Sequence, residues 1–180
     1  MNRYRAQPLS RSAIKREVES LRRMLEIEEI LYFPVVQLFE ILPIIYEGLI
    51  TEIVEDSFLP DSFAETDVLK KTITVRESIY NAACDGDGFA RMTILHEVGH
   101  YHYLVENSLR LQRAEKNHPI KTYEDPEWQA KCFAGEIMMP EHLIQGMTAK
   151  EVAKKCGVTI CAAEYQLKCA KKKKDRKDPI

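Results

Sequence analysis

His96, Glu97 and His100, in the pentapeptide His96-Glu97-Val98-Gly99-His100, are the side chains whose types and spacing best suit chemistry. On a helix, positions i and i+4 lie one above the other, so both imidazoles can face one metal ion. Glu97 falls about 100° round the same helix from His96. It can reach a water on that metal without being a ligand. Two imidazole ligands, an open coordination position and a carboxylate to take the water's proton make the layout of a zinc hydrolase. The plainer reading of the same residues is an amphipathic helix with two histidines on its polar edge.

The surrounding residues favour a helix in the right place. Asp87, between Gly86 and Gly88, can cap a helix beginning near Phe89, and no proline interrupts Phe89–Asn117. Gly99 costs helix stability. It lies beside the two histidines on the wheel, where a missing side chain lets another element or a substrate approach.

A third ligand has to come from elsewhere. Asp125-Pro126 reads as a helix start, an N-cap carboxylate followed by proline at the first helical position, for a helix over 126–139 ended by Pro140. Ala130, Phe133, Ala134, Ile137 and Met138 form its inward stripe. Glu127 falls close to Ala134 and Met138 on the wheel, whereas Glu136 points to the opposite side. An inward carboxylate is costly without a partner. A metal is one such partner, which makes Glu127 the candidate third ligand; complementing the helix dipole is the other explanation. Trp128 and Cys132 read as packing residues.

The remaining elements must position these side chains. The chain has 180 residues, 45% hydrophobic and 30% charged, with a formal net charge of −2. That is ordinary for a globular protein and offers no global argument for nucleic-acid or membrane binding. No signal peptide and no run of membrane-spanning length are visible. Cys84, Cys132, Cys156, Cys161 and Cys169 include no C-x-x-C pair and read as reduced thiols of a cytoplasmic protein. A metal site at Cys156, Cys161 and Cys169 is the weaker reading.

A helix is expected over Ser10–Tyr32, capped by Ser10 or Ser12, with Ile14, Val18, Leu21 and Leu25 inward and its Lys, Arg and Glu residues solvated. Pro34 starts a second helix, Val35–Leu42, stopped by Pro43. Strands are expected at Gly48–Val54 and Thr72–Val75. Between them Asp56–Lys71 is either an irregular excursion or a hairpin arm, and Arg76–Cys84 is a short helix. Glu106–Glu124 is polar and aperiodic, a candidate cleft rim. Thr148–Cys156 and Thr159–Leu167 form a helical pair joined at Gly157. Its spacing allows a helix-turn-helix, but the second helix has few groups able to reach base edges, so a hairpin covering the core is preferred. Lys168–Ile180 reads as a frayed basic tail.

Two separated segments, A-R-M-T-I-L-H-E-V-G-H (Ala90–His100) and E-W-Q-A-K-C-F-A-G-E-I-M-M-P (Glu127–Pro140), resemble the ImmA/IrrE family of metallopeptidases found in phages, mobile elements and bacterial stress regulators. Many members read T-[IL]-A-H-E-[IL]-G-H and then E-x-x-A-N-x-F-A-x-x-L-L-M-P. The resemblance spans Gly48–Pro140, and T-A-K-E-V-A-K-K-C-G-V looks like the helical end of some members. Lys131 replaces the usual Asn, and Met138 an aliphatic residue.

The resemblance implies an α+β, zincin-like fold in which a small twisted sheet carries the His-Glu-x-x-His helix, with N- and C-terminal helices added. The organisation expected is a helical segment at 1–45, a metallopeptidase core at 46–145, a helical appendage at 146–168 and a basic tail at 169–180. It carries over His96, His100 and Glu127 as ligands of one Zn²⁺ per chain (manganese being the substitute), and Glu97 as the catalytic carboxylate. It also implies a substrate, a helix-turn-helix repressor encoded beside it. Tyr101, Tyr103 and Tyr123 are candidate oxyanion donors or cleft residues. His102 falls off the ligand face and reads as structural, and His118 and His142 as surface or capping residues. The alternatives are a metal-containing DNA-binding or sensor protein using 146–174, and an anti-repressor that binds its partner without cutting it.

Overall fold

The computed structural model describes residues 4–106, 112–113 and 120–174. In chain order the elements are β1 (Tyr4–Arg5), α1 (Arg11–Met24), α2 (Val35–Ile45), β2 (Ile50–Val54), β3 (Ala64–Asp67), β4 (Thr72–Arg76), α3 (Glu77–Cys84), α4 (Gly88–Glu106), β5 (Gln112–Arg113), α5 (Pro126–Met138), α6 (Glu141–Ile144), α7 (Ala149–Cys156) and α8 (Ile160–Lys174). The main sheet has the order β2-β4-β3, with β2 parallel and β3 antiparallel to β4. β1 and β5 form a separate antiparallel pair. This is the α+β, zincin-like arrangement expected, and no helix among the described residues is long and apolar enough to cross a membrane.

The expected caps form. Ser10 Oγ accepts from the Ala13 amide at 3.2 Å, Asp87 Oδ1 from the Ala90 amide at 2.8 Å and Asp125 Oδ1 from the Glu127 amide at 3.0 Å. Each satisfies an amide that the first helical turn leaves without a partner. Thr148 and Glu151 close a capping box at the start of α7.

Several boundaries differ from the expectation. α1 stops at Met24 rather than Tyr32, because Glu26 takes a left-handed conformation (φ 56°). The Glu26 and Ile27 amides then turn back to the Arg23 and Arg22 carbonyls, a Schellman closure without the usual glycine. α2 runs through Pro43 to Ile45. Proline removes its own donor and crowds the carbonyl one turn back, yet the Tyr46 amide still closes the end on the Leu42 carbonyl at 2.8 Å. The excursion at Asp56–Lys71 contains the hairpin arm, since β3 pairs with β4. α8 continues to Lys174 where a frayed tail was expected, in keeping with the helix propensity of Ala and Lys; 175–180 lie outside the described residues.

Two charged residues expected at the surface are buried. Arg22, on the supposedly solvated face of α1, donates to the carbonyls of Ile137 (2.7 Å), Ile27 (2.8 Å) and Ile30. It ties α1 and the turn after it to the end of α5. Glu136, opposite the inward stripe of α5, is covered by α1 and lies 3.5 Å from Arg11 Nε. Burial pushes its carboxyl above the ordinary range, with Arg11 opposing. α5 is thus enclosed on both sides.

The C-terminal helices are fastened to the start of α4. Arg91 donates to the carbonyls of Gly157 (3.0 Å) and Phe33 (2.8 Å), with its guanidinium 3.8 Å from the Tyr32 ring centroid. Gly88 lies so close to the turn between α7 and α8 that a Cβ would sit 2.5 Å from the Val158 carbonyl carbon and 2.7 Å from the Thr159 nitrogen. Both of those atoms are backbone, so they cannot swing aside. Gly88→Ala is expected to lower stability by about 1–3 kcal/mol, the cost of overpacking. Urea unfolding checks this, and an unchanged midpoint would contradict it.

Candidate metal centre

α4 is enclosed except along one stripe. From Phe89 to Tyr103 the positions that escape full burial are Phe89, Met92, Thr93, His96, Glu97 and His100, and the positions between them are buried. These six recur at intervals of three and one, a single line along a helix. Ile94, Leu95 and Val98 anchor the opposite side in the core.

The two imidazoles meet as the i, i+4 spacing requires, with their Nε2 atoms 3.0 Å apart. α5 supplies the third group. Glu127 Oε1 lies 3.2 Å from His100 Nε2, and Oε2 lies 3.3 Å from His96 Nε2. Among the described residues this trio is the one His/Cys/Asp/Glu group whose ligand atoms converge closely enough to hold a metal ion. The donor set fits such an ion. At a tetrahedral zinc with ligands at about 2.0–2.1 Å, ligand atoms stand about 3.3 Å apart, close to the separations found here. Contact with His100 and His96 holds the Glu127 carboxyl far below the ordinary carboxylate range. Glu127 is more open than its place beside the inward stripe suggests, with its side chain 60% exposed.

Glycine permits the meeting. A Cβ on Gly99 would stand 3.1 Å from Ala130 Cα and 3.1 Å from Phe133 Cδ1. The element that the missing side chain admits is therefore α5.

Glu97 stays outside the trio. Its Oε2 is 2.8 Å from Thr66 Oγ1, which is also 3.0 Å from the Glu97 carbonyl oxygen. A hydroxyl has one proton, and the shorter, charge-assisted contact favours the carboxylate. Thr66 lies on β3, an edge strand of the sheet. Sequence reasoning missed it, because A-E-T-D shows neither apolar alternation nor a recognisable motif.

The three tyrosines occupy different surroundings. Tyr101 is buried edge-on to Tyr46, with ring centroids 5.4 Å apart. Tyr103 is buried against Phe133 and His102. Tyr123 is 40% exposed and lies in the short turn leading into α5. His102 is structural in its contacts, 2.5 Å from the Tyr46 hydroxyl and 2.7 Å from Glu17 Oε1, which ties α4 to α2 and α1. His142 is exposed, as is Lys131, and His118 lies outside the described residues. All five cysteines are free; Cys132 and Cys156 are buried and Cys84 and Cys161 exposed. Burial pushes the Cys132 thiol up to about 11.

Residues 58–168 match the family model for the IrrE N-terminal-like domain, a peptidase family. The chain belongs to this metallopeptidase family. The match extends beyond the two motifs through α7 and most of α8, so the helices packed on the start of α4 are included in the family pattern. A comparison with curated proteins gives no significant match. Membership implies a metal cofactor, and the His96, His100 and Glu127 trio is where this chain can hold one.

Glu127→Ala is expected to weaken metal binding at least tenfold, with the fold retained because the side chain is largely exposed. Competition with a chromophoric chelator checks this. Wild-type affinity in the variant would remove Glu127 from the site.

Proposed function

We propose that this chain is a zinc-dependent endopeptidase that cuts a regulatory protein, with Glu97 as its general base. The observation that carries the reading is the division of labour among four side chains. Three converge on one point from α4 and α5, while the fourth lies beside them with a hydrogen-bond partner of its own. A site that only stored a metal would have no need of the held carboxylate.

When bound, zinc would polarise a peptide carbonyl and make a water acidic enough to lose its proton near neutral pH. Glu97 accepts that proton and passes it to the departing amine. Thr66 holds Oε2, which leaves Oε1 to carry the proton and fixes the carboxylate's rotamer. His96 and His100 would hold the ion through Nε2, and Glu127 would hold it through its carboxylate and supply negative charge to the donor set. Of the three tyrosines, Tyr123 keeps a ring open to solvent and is the candidate donor to the developing oxyanion.

The family resemblance supports a helix-turn-helix repressor encoded beside this chain as the substrate. The free thiols suit a reducing compartment, so the proposed setting is the cytoplasm.

Mixing the zinc-loaded protein with that repressor should give discrete fragments by mass spectrometry. Glu97→Gln should keep one zinc per chain and yield no fragments; full cleavage by this variant would refute the base role. Thr66→Val should keep its zinc and lower kcat about tenfold with little change in KM, a magnitude typical of a lost positioning contact. Thr66→Ser should restore turnover. An unchanged kcat in Thr66→Val would show that the contact to Glu97 plays no part.

A further inference from the structure

The exposed stripe of α4 changes character along its length. Its C-terminal half holds His96, Glu97 and His100, and its N-terminal half holds Phe89, Met92 and Thr93. Phe89 stands seven residues before His96, two helical turns away on the same face, or about 10 Å at 1.5 Å per residue. Across from α4 runs β3, whose Thr66 touches Glu97. Phe63 precedes Thr66 by three residues, again about 10 Å at 3.3 Å per residue. Phe89 therefore stands about 10 Å from His96 along α4, and Phe63 about 10 Å from Thr66 along β3.

The two rings meet there edge-to-face, with centroids 5.3 Å apart and planes at 86°. Phe63 is fixed from behind. Its carbonyl accepts from the Arg76 amide at 3.1 Å, continuing the β3–β4 ladder, and the Arg76 guanidinium lies 5.2 Å from its ring centroid. Yet both rings stay half open, Phe63 at 49% and Phe89 at 47% exposure. Isolated exposed phenylalanines need no explanation, but a joined pair on the same helix stripe as the two histidines does.

We infer that Phe63 and Phe89 form a specificity subsite for a large aliphatic or aromatic side chain of an extended substrate, at the third residue from the cleaved bond. An extended peptide advances about 3.3 Å per residue, so a chain laid along the outer edge of β3 and over the exposed stripe of α4, with its scissile carbonyl at the trio, reaches the ring pair three residues away. The apolar side chain buries both open ring faces. The inference rests on the peptidase reading, and it adds a substrate preference that the ligands and Glu97 do not dictate.

The test uses hydroxamates, which chelate the metal without being cut. Acetohydroxamate is the baseline probe. Two sets of tetraglycine hydroxamates, one extending on the acyl side and one on the amine side, carry a single phenylalanine at each position in turn. Binding to the zinc-loaded full chain is measured by calorimetry. In one of the sets, phenylalanine at the third position should tighten binding about tenfold over glycine. Phe63→Ala/Phe89→Ala should reduce that gain below threefold, with zinc content and acetohydroxamate affinity unchanged, and Phe63→Leu/Phe89→Leu should keep most of it. A flat preference across positions, or a gain that survives the double alanine variant, overturns the subsite alone. Zinc or acetohydroxamate failing to bind the wild type overturns the peptidase reading and the subsite with it. A double variant that changes the oligomeric state in light scattering without changing probe preference assigns the patch to self-association and also overturns the subsite.

Discussion

Two helix backbones come together where Gly99 of α4 lies against Ala130 of α5, and the site exists because they do. The i, i+4 histidines need only a helix, which local capping supplies. The third member of the trio is a different problem, because Glu127 is 27 residues beyond His100 in the chain and yet stands 3.2 Å from it. A methyl group at position 99 would press on the Ala130 backbone and the Phe133 ring. The glycine that weakens α4 as a helix also gives α5 room to bring Glu127 beside the two imidazoles.

The rest of the fold fixes α5 from the other side. Arg22 donates to the Ile137 carbonyl, Arg11 faces Glu136, and Gln129 donates to the carbonyls of Gln7 and Tyr123. These contacts set charged groups of α1 against the helix that carries Glu127, and that helix's own Gln129 ties it to the backbone on either side. His102 and Arg91 do the same for α4, one through Tyr46 and Glu17, the other through the turn after α7. Each is a buried or half-buried polar group whose removal would leave unpaired partners, which makes the framework stiff. A stiff framework suits a site whose donor atoms must sit a few tenths of an ångström from their required separations.

What could be read in the sequence was whatever depends on local chemistry. The caps at Ser10, Asp87 and Asp125 stand where short-range rules put them, and the His96/His100 pair follows from helix geometry. The helix wheel singles out Glu127 as an inward carboxylate in want of a partner; His96 and His100 stand beside it, but the side chain is 60% exposed rather than inward. What escaped depends on who packs against whom. Glu136 and Arg22 look like surface charges because nothing nearby in the chain shows that α1 and α5 cover each other. Thr66 sits in a polar stretch with no periodicity, and its role appears only when β3 is laid beside α4. The turn that ends α1 puts Glu26 at a left-handed position where glycine is usual, and Pro43 signals a stop by its missing donor although α2 runs past it to Ile45.

The account stands on the identity of the atoms around the metal. X-ray absorption at the zinc edge of the loaded, full-length protein reads them directly. It should show two imidazole nitrogens and oxygen donors at about 2.0–2.2 Å, with no sulfur. A sulfur shell near 2.3 Å, which would place zinc among the cysteines, or a spectrum unaltered by replacing both His96 and His100, would contradict it.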